Sequence, residues 1–392
     1  SNIDKVKPEV KVSAASIVYG NSVTLTFTDD LSGINGWAIT RNTTAPTTWT
    51  QVTPASLEAT ATYKPTAVGT YYAWIKDQAG NVSVYAQFVV TEKDISTSSD
   101  IQITLADTTF IYDGTAKEIG VTVKENVAPL VANTDYEVTY SNNINAGTAT
   151  VVVKGAGNYK GEVTKQFTIN RRALNVIPNN QSKVFGEADP ELTYTYSNNV
   201  TGETPKFDKS LTRDSGENVG SYNITQGTLT LVDNGSFLVN NYTIVFTTGK
   251  TLTITRKTIG NMTARLGQTT YTYDGTEKKP SVTVTDGQVT LIASNYTVAY
   301  SNNVNAGTAT VTITGVGNYS GTITLEFTIN ARELVVKPDA GLSKIYGETD
   351  PVLTYTHSGA VTGETPKFSG SLARATGEDV GVYPIGIGTL AL

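Results

Sequence analysis

The sequence contains no cysteine, one histidine and one methionine among its 392 residues. The absence of cysteine excludes disulfides, thiolate nucleophiles and cysteine-ligated zinc or iron–sulfur sites. A single imidazole leaves little for acid–base catalysis or metal binding. Charged residues make up only 16 %, and the net charge is −6. Because a nucleic-acid binder carries a basic domain or stripe, we expect no nucleic-acid partner.

Long apolar runs are also missing. No stretch approaches the roughly 20 apolar residues of a membrane helix, so we expect no membrane insertion by this segment. No charged-then-apolar signal peptide opens the chain. Ser1 and Asn2 are an unusual natural start. We therefore expect the sequence to be a piece of a longer protein.

What the sequence does have is regular alternation of apolar and hydroxyl residues. Residues 22–28 read SVTLTFT, residues 251–255 TLTIT and residues 308–314 TATVTIT. Period-two alternation predicts antiparallel sheets with one buried and one solvated face, and no window shows a helical period. Turn motifs such as NAGT, GNY and GETP separate the runs. The predicted fold class is all-β, a tandem string of small antiparallel β-sandwich (immunoglobulin-like) or β-barrel/grasp-like modules.

An internal repeat of about 160 residues organises the chain. Tyr112 to Asn170 and Tyr273 to Asn330 both contain YDGT, YSNN, NAGTATV and GNY. A second repeated unit follows each copy, KVFGEADPELTYTYSNNVTGETPKF from Lys183 to Phe207 and KIYGETDPVLTYTHSGAVTGETPKF from Lys344 to Phe368. Repeats of this length are too long for solenoid turns, and each is large enough to own a core. The sequence therefore predicts separate small domains in series.

We predict five modules from these repeats. They are a first module (residues 1–93), A1 (101–170), B1 (171–256), A2 (257–330) and B2 (331–392), with B2 incomplete because it has no counterpart of residues 241–255. The A and B units meet with almost no linker, which limits rotation and favours an extended rod. At roughly 35–40 Å a module, such a rod would reach on the order of 150–200 Å.

The repeated motifs carry family resemblances. The A units resemble the YDG-type repeats of bacterial surface proteins through YDG, SNNxNAGTATV and GNY. The B units are similar to MBG ("mostly β, glycine-rich") repeats through FGEADPELTY, VTGETPKF and GENVGSY. The first module resembles a bacterial immunoglobulin-like domain through TFTDDLSGI and GTYYAWIKDQAGNVS. These resemblances imply an exported, extracellular adhesin-like protein of the bacterial cell surface without enzymatic activity. They supply no catalytic residues.

Two candidate ligand sites fall in the first module. Asp29, Asp30, Asp77 and Asn81 form a candidate calcium site, because hard cations bind clustered oxygens. Ordinary turn hydrogen bonding is the alternative for these residues, and no other cofactor is expected. Trp37 and Trp49 are the candidate sugar-stacking residues, with aromatic packing as the alternative, and Trp74 is expected in the core.

Candidate covalent and catalytic residues recur in the doubled modules. Lys117 with Asn170, and Lys278 with Asn330, are candidates for an isopeptide crosslink in place of disulfides. The alternative is a solvated lysine and a junction asparagine. The single histidine, His357, is replaced by Tyr196 in the sister module, so we expect a surface strand residue.

Several carboxylates that could form a hydrolytic pair also recur, but surface ion pairs and turns explain them better. They are Glu187, Asp189, Glu203 and Glu217 in B1 and Glu348, Asp350, Glu364 and Glu378 in B2. The leading hypothesis is a monomeric, non-enzymatic stalk that presents another region away from the cell. The second is an adhesion module that binds host glycan or surface protein, chiefly through the first module. The third is the accessory region of a secreted carbohydrate-active enzyme.

Overall fold

The first module is a two-sheet sandwich. The computed structural model describes residues 4–392, so Ser1 and Asn2 lie outside the described residues. The module's strands are β1 (Glu9–Val12), β2 (Ser16–Val18), β3 (Val23–Thr28), β4 (Ile34–Thr40), β5 (Thr50–Gln51), β6 (Glu58–Tyr63), β7 (Gly69–Asp77) and β8 (Ala86–Thr91). They form the sheets β1-β3-β6 and β2-β8-β7-β4-β5. Val23, Leu25 and Phe27 of β3 are fully buried while the threonines between them face outward, as the alternation predicts.

Module A1 follows a short strand, β9 (Lys93–Asp94). Its strands are β10 (Ile101–Leu105), β11 (Thr109–Ile111), β12 (Val121–Glu125), β13 (Ala128–Pro129), β14 (Tyr136–Ser141), β15 (Gly147–Gly155), β16 (Tyr159–Lys160) and β17 (Glu162–Asn170). The sheets are β10-β12-β13 and β11-β17-β15-β14, and β16 pairs with β9. The glycine-containing segment between β15 and β17 closes a hairpin, as the sequence predicts, because these strands are antiparallel and Gly155 N–H donates to the carbonyl of Gly161 at 2.9 Å.

Module B1 contains three small sheets. Its elements are β18 (Arg172–Pro178), β19 (Gln181–Val184), β20 (Tyr194–Ser197), β21 (Lys206–Asp208), β22 (Thr212–Arg213), β23 (Gly220–Thr225), β24 (Thr230–Val232), a 3-10 helix (Val239–Asn241), β25 (Tyr242–Phe246) and β26 (Thr251–Thr255). The sheets are β20-β18-β25, β21-β24 and β19-β26-β23-β22.

Module A2 repeats the topology of A1. Its elements are β27 (Lys257–Thr258), β28 (Thr263–Leu266), β29 (Thr270–Thr272), β30 (Val282–Asp286), β31 (Val289–Thr290), a 3-10 helix (Ala293–Asn295), β32 (Tyr296–Ser301), β33 (Gly307–Gly315), β34 (Tyr319–Ser320) and β35 (Thr322–Asn330). B2 contains β36 (Val335–Pro338), β37 (Tyr355–Ser358), β38 (Ala373–Arg374) and β39 (Ile385–Gly386), in the pairs β36-β37 and β38-β39. The expected all-β series of small, mostly antiparallel sheets is confirmed.

The chain divides into two compact units whose boundary passes through B1. The first unit comprises residues 4–177, 195–209 and 229–246, and the second comprises residues 178–194, 210–228 and 247–392. In the first unit, one hydrophobic cluster joins A1 to B1, because Phe167 and Ile169 of β17 share it with Leu174, Phe237 and Tyr242. In the second unit, the core of A2 surrounds the fully buried residues Val284, Val311 and Ile313. The five-module boundaries remain a prediction.

Parallel strand pairs are the feature that alternation does not predict. An early strand runs parallel to the last strand in the first module (β2 with β8), in A1 (β11 with β17), in B1 (β19 with β26) and in A2 (β29 with β35). Two parallel strands point the same way. The chain therefore leaves each of these modules at the end opposite to the one where the early strand begins.

Among the described residues, no helix is long and apolar enough to cross a membrane.

Candidate functional site

An acidic cluster lies at one end of the first module. Asp29 directly follows β3, Asp77 is the last residue of β7, and Asp4 precedes β1. The three side chains offer oxygen atoms that all lie within 4.8 Å of one another. Asp29 and Asp77 are 5 % and 0 % exposed, and Asp4 is half-buried. The fold thus gathers two strand-end carboxylates and one from the entering segment.

Backbone and amide donors hold one side of the cluster. Asp29 Oδ2 accepts hydrogen bonds from the backbone N–H of Ser32, at 2.9 Å, and of Gly33. Gly33 adopts a φ of 84°, which a residue with a Cβ reaches only under strain. Asp77 Oδ1 accepts the backbone N–H of Asn81 at 2.7 Å, and its Oδ2 accepts Asn81 Nδ2 at 2.7 Å. These bonds fix Asp29 and Asp77 in place.

The other side of the cluster lacks partners. Asp29 Oδ1 and Asp4 Oδ2 are buried and have no hydrogen-bond partner within residues 4–392. Over the same residues, no Lys or Arg nitrogen forms an ion pair with Asp4, Asp29 or Asp77. At an effective dielectric constant of about 20, two unit negative charges about 5 Å apart repel each other by about 3 kcal/mol. A hard, oxygen-preferring cation is a chemically suitable partner.

The structure changes the residue list of the candidate calcium site. Asp29 and Asp77 are brought together as predicted, but Asp30 is exposed and is not part of the cluster. Asn81 lies beside the cluster, and its Nδ2 donates to Asp77 Oδ2 and to the Asp4 carbonyl at 3.2 Å, so it positions these residues. The sequence does not indicate Asp4 as a member of the cluster, because Asp4 lies 25 residues before Asp29 with no motif around it.

The tryptophans divide between packing and surface positions. Trp74 is buried as expected, and its Nε1 donates to Thr40 Oγ1 at 2.9 Å. Trp37 is not an open stacking surface, because it stacks on Phe27 with ring centroids 6.2 Å apart and packs against the core. Trp49 is half-buried and precedes the edge strand β5, with Lys76 Nζ 5.8 Å from its ring centroid. Trp49 therefore remains the candidate contact residue.

Both lysines of the isopeptide hypothesis are ion-paired within their own YDGT turns. Lys117 Nζ contacts the carboxylate of Asp113 and donates to Thr115 Oγ1 at 2.9 Å. This pairing holds the pKa of Asp113 down to about 2. Lys278 contacts Asp274 in the same way. The corresponding asparagines are the exposed last residues of β17 and β35, Asn170 and Asn330.

Two of the four recurrent carboxylates of each B unit form a closed ion network with a lysine and an arginine. In B1, Lys183 Nζ lies 2.6 Å from Asp189 Oδ1 and also contacts Glu217, while Arg213 Nε lies 2.7 Å from Asp189 Oδ2 and Nη2 contacts Glu217. Arg213 and then Lys183 lower the pKa of Asp189 to about 2. The same network recurs in B2 among Lys344, Asp350, Arg374 and Glu378. These carboxylates are paired with cations, so they are not arranged as a general acid and a nucleophile.

The single histidine occupies an ordinary strand position. His357 is exposed in β37, and its ring centroid lies 5.5 Å from that of Phe368. In B1 the corresponding Tyr196 lies 5.5 Å from Phe207. The two side chains thus play the same packing role, which fits the expected surface strand residue.

Glu203 departs from the expectation of a surface ion pair. It is 8 % exposed, and its carboxylate accepts hydrogen bonds from two tyrosine hydroxyls, Tyr112 of the A1 YDG motif and, at 2.7 Å, Tyr242 of B1. Burial, and then the bond to Glu203, raise the pKa of Tyr112 to about 12. Asn241, which is fully buried, accepts the backbone N–H of Ala146 at 2.8 Å beside them. We call this contact of A1 with B1 the tyrosine–glutamate joint.

A second copy of this joint connects A2 to B2. Tyr273 of the second YDG motif donates to Glu364 Oε1, and this bond raises the pKa of Tyr273. Glu364 is exposed, unlike Glu203. The YDG tyrosine and the VTGE glutamate therefore contact each other in both repeats.

The GNY turn of each A unit makes a different contact, with the module before it. In the first unit, Asn158 Oδ1 accepts the backbone N–H of Val68 at 2.9 Å, and the Tyr159 ring lies edge-on to Tyr19 at 5.5 Å. The chain entering A1 pairs with the same turn, because Lys93 N–H donates to the Asn158 carbonyl at 3.0 Å. We call this the asparagine joint.

The asparagine joint is repeated in the second unit. Asn318 Oδ1 accepts the backbone N–H of Val219 at 2.8 Å, and Asn318 Nδ2 donates to Asn218 Oδ1 at 2.9 Å. The Tyr319 ring lies edge-on to Phe185 at 5.5 Å. Asn318 therefore makes the contact to B1 that its counterpart makes to the first module. The sequence alone predicts only a turn at GNY, and the duplication of this motif is the signal that points to a shared contact.

The fold defines a chain of β-modules in series, and the comparison with protein families identifies two of its segments. Residues 174–253 and 334–392 match the family described as "MBG domain (YGX type)". These segments lie in B1 and B2, and their match to the family model confirms the resemblance inferred from FGEADPELTY and its second copy. The search of curated proteins found no match.

Among solved structures, the fold is similar to several multidomain β-proteins. The SrpA adhesin of Streptococcus sanguinis is 16 % identical, with a TM-score of 0.22, over 43 % of this chain and 94 % of that chain. The sialic acid binding region of the S. sanguinis SK1 adhesin, solved with 3'sLn, is 14 % identical, with a TM-score of 0.21, over 84 % and 98 %. An ICAM-5 D1–D4 fragment is 10 % identical, with a TM-score of 0.29, over 91 % and 99 %. At these values the likeness concerns the all-β fold alone.

Proposed function

We propose that this chain is a non-enzymatic spacer segment of an exported bacterial cell-surface protein, which holds another region away from the cell. The direction of the strands supports this role. In four modules an early strand is parallel to the last strand, so the chain leaves the module at the end opposite to the one where that early strand begins. We propose that an exit at that end carries the chain onward to the next module.

The observation that carries the proposal is the duplication of both joints. The asparagine joint recurs at Asn158 and Asn318, and the tyrosine–glutamate joint recurs at Glu203 and Glu364. Each combines hydrogen bonds with aromatic or apolar packing, which resists rotation at a short junction better than a flexible linker does. The most recognisable repeat motifs are thus used for contacts between modules, which is what a spacer requires.

Small-angle X-ray scattering of the whole chain tests the proposal. A compact particle of 392 residues has a radius of gyration of about 21 Å. Modules in series that span about 150 Å or more give a value above about 40 Å. We expect the larger value, at a mass that corresponds to one chain. A radius of gyration near that of the compact particle would contradict the spacer role.

Variants of the asparagine joints test whether these contacts stiffen the chain. Replacing Asn158 and Asn318 together by alanine removes the side-chain bonds of both asparagine joints. We expect this double variant to show a broader distribution of distances within the particle in scattering. Thr324→Ala is the matched control, because Thr324 is exposed on β35 of the same A2 module. An unchanged distance distribution in the double variant would show that the asparagine joints do not stiffen the chain.

Adhesion through the first module is the second candidate function. It rests on Trp49, a half-buried indole beside an edge strand, where a sugar ring or an extended peptide has access. Binding of the chain to a glycan array, lost in Trp49→Ala but retained in Trp37→Phe, would establish this role. Absence of binding to any glycan or host-cell surface protein would leave the spacer role alone.

A further inference from the structure

The geometry points to a calcium site formed by Asp4, Asp29 and Asp77 at one end of the first module. This inference goes beyond the spacer function, because a spacer needs no metal. The three carboxylates offer oxygens within 4.8 Å of one another, as ligands of one cation do when each lies about 2.4 Å from it. The site is assigned from a second observation as well as from this clustering.

That second observation is the unpartnered oxygen of Asp29. The Asp29 side chain is 95 % buried, since its exposure is 5 %, yet Oδ1 has no hydrogen-bond partner among residues 4–392. Asp4 Oδ2 is likewise a buried atom without a hydrogen-bond partner among these residues. Buried carboxylate oxygens are almost always satisfied by donors or by metals. Here the donors stand on the opposite side, because Ser32 and Gly33 bind Asp29 Oδ2.

The chemistry of the cluster favours calcium over other metals. All available ligands are oxygen atoms, and carboxylate oxygen is the ligand of hard cations, whereas zinc and copper favour imidazole and thiolate. Calcium accepts six to eight oxygens in an irregular arrangement, whereas magnesium demands near-octahedral geometry and keeps most of its water. Three carboxylates from separate chain segments, completed by water, suit the less demanding ion.

Calcium at this position would join three separate parts of the module. Asp4 lies in the segment before β1, Asp29 in the loop after β3 and Asp77 at the end of β7. Asn81 already ties two of these parts, because its Nδ2 donates to Asp77 Oδ2 and to the Asp4 carbonyl. The ion would replace repulsion among the carboxylates by attraction, and it would fix the entering segment to the end of the sandwich.

Isothermal titration of the chelator-treated whole chain with calcium chloride tests the site. We expect one calcium ion per chain with a dissociation constant of about 0.1–1 mM, the range of extracellular modules, and magnesium binding at least about tenfold weaker. Differential scanning fluorimetry should show the melting transition of the first module rising by several degrees in about 10 mM calcium. No calcium uptake at that concentration, or equal affinity for magnesium, would overturn the assignment.

Matched variants locate the binding. Asp29→Asn and Asp4→Asn should each weaken calcium binding by about tenfold or more, whereas Asp30→Asn should leave it unchanged, because Asp30 is exposed and outside the cluster. Asp4→Asn is the variant least expected to disturb folding, because Asp4 precedes β1 and does not lie in a loop between strands. In chelator, Asp4→Asn should melt at or above the wild-type temperature, because a repelling charge is gone. Equal loss in Asp30→Asn, or lower melting of Asp4→Asn in chelator, would contradict the site.

Discussion

Replacing Glu203 by alanine should loosen the tyrosine–glutamate joint between A1 and B1. The substitution removes the acceptor of two buried tyrosine hydroxyls, Tyr112 at 3 % exposure and Tyr242 at 2 %. A hydrogen bond to a charged group contributes about 1.5–3 kcal/mol, so two contribute about 3–6 kcal/mol. Loss of the buried charge offsets part of this, and Tyr242 keeps the bond that its oxygen accepts from Val200 N–H at 2.9 Å. We therefore expect a loss of about 3 kcal/mol.

Hydrogen–deuterium exchange with mass spectrometry measures this loss locally, which matters because unfolding of a multidomain chain is not two-state. A loss of about 3 kcal/mol corresponds to exchange more than about a hundredfold faster in peptides covering Tyr112 and Tyr242. Glu364→Ala is the internal control, because Glu364 is exposed and contacts one tyrosine, Tyr273. We expect less than about 1 kcal/mol there. Equal effects of the two variants would refute the argument that burial makes Glu203 important.

Three further predictions concern protonation and covalent chemistry. The pKa of Tyr112 is about 12 in the fold, against an ordinary value of 10.0. Its contribution to the free energy of unfolding is therefore full below pH 10 and is lost as the pH rises toward 12. Urea titrations should show that Tyr112→Phe loses less stability at alkaline pH than the wild type. Asp189, with its pKa at about 2 instead of 3.8, should stabilise B1 above pH 4 and lose that effect toward pH 2, and Asp189→Asn should flatten this acid dependence in circular-dichroism titrations. The intact mass should equal that of the sequence, because Lys117 and Lys278 are ion-paired with aspartates, and a deficit of one ammonia would instead prove a crosslink.

The sequence was sufficient to predict the strands and the series of modules. Alternation such as Val23, Leu25 and Phe27 in β3 identifies the buried face directly, because successive side chains of a strand point to opposite faces. The doubled motifs identified A and B units. Alternation does not say which strand lies beside which, so the parallel pairs, such as β11 with β17, could not be read from it.

The sites were harder to predict because their residues meet through distant contacts. Asp29 and Asp77 stand out at strand ends, but Asp4 joins them only through the path of the entering segment. Trp37 looks like any strand tryptophan, and only the sheet packing places it against Phe27. Glu203 looks like a turn carboxylate until Tyr112, 91 residues earlier, reaches it from the neighbouring module. In each case the local sequence fixes the residue type but not its partner.

The two joints also explain why the A and B motifs occur as a pair. In both repeats the YDG tyrosine bonds the glutamate of the VTGE motif in the unit that follows, Tyr112 with Glu203 and Tyr273 with Glu364. A GNY asparagine needs an open backbone N–H on the preceding module, which Val68 supplies in one case and Val219 in the other. B1 thus supplies Glu203 to the YDG tyrosine of A1 and the Val219 backbone N–H to the GNY asparagine of A2. A composition without cysteine and with one histidine suits such a chain, because hydroxyl, amide and carboxylate groups are the ones its junctions use.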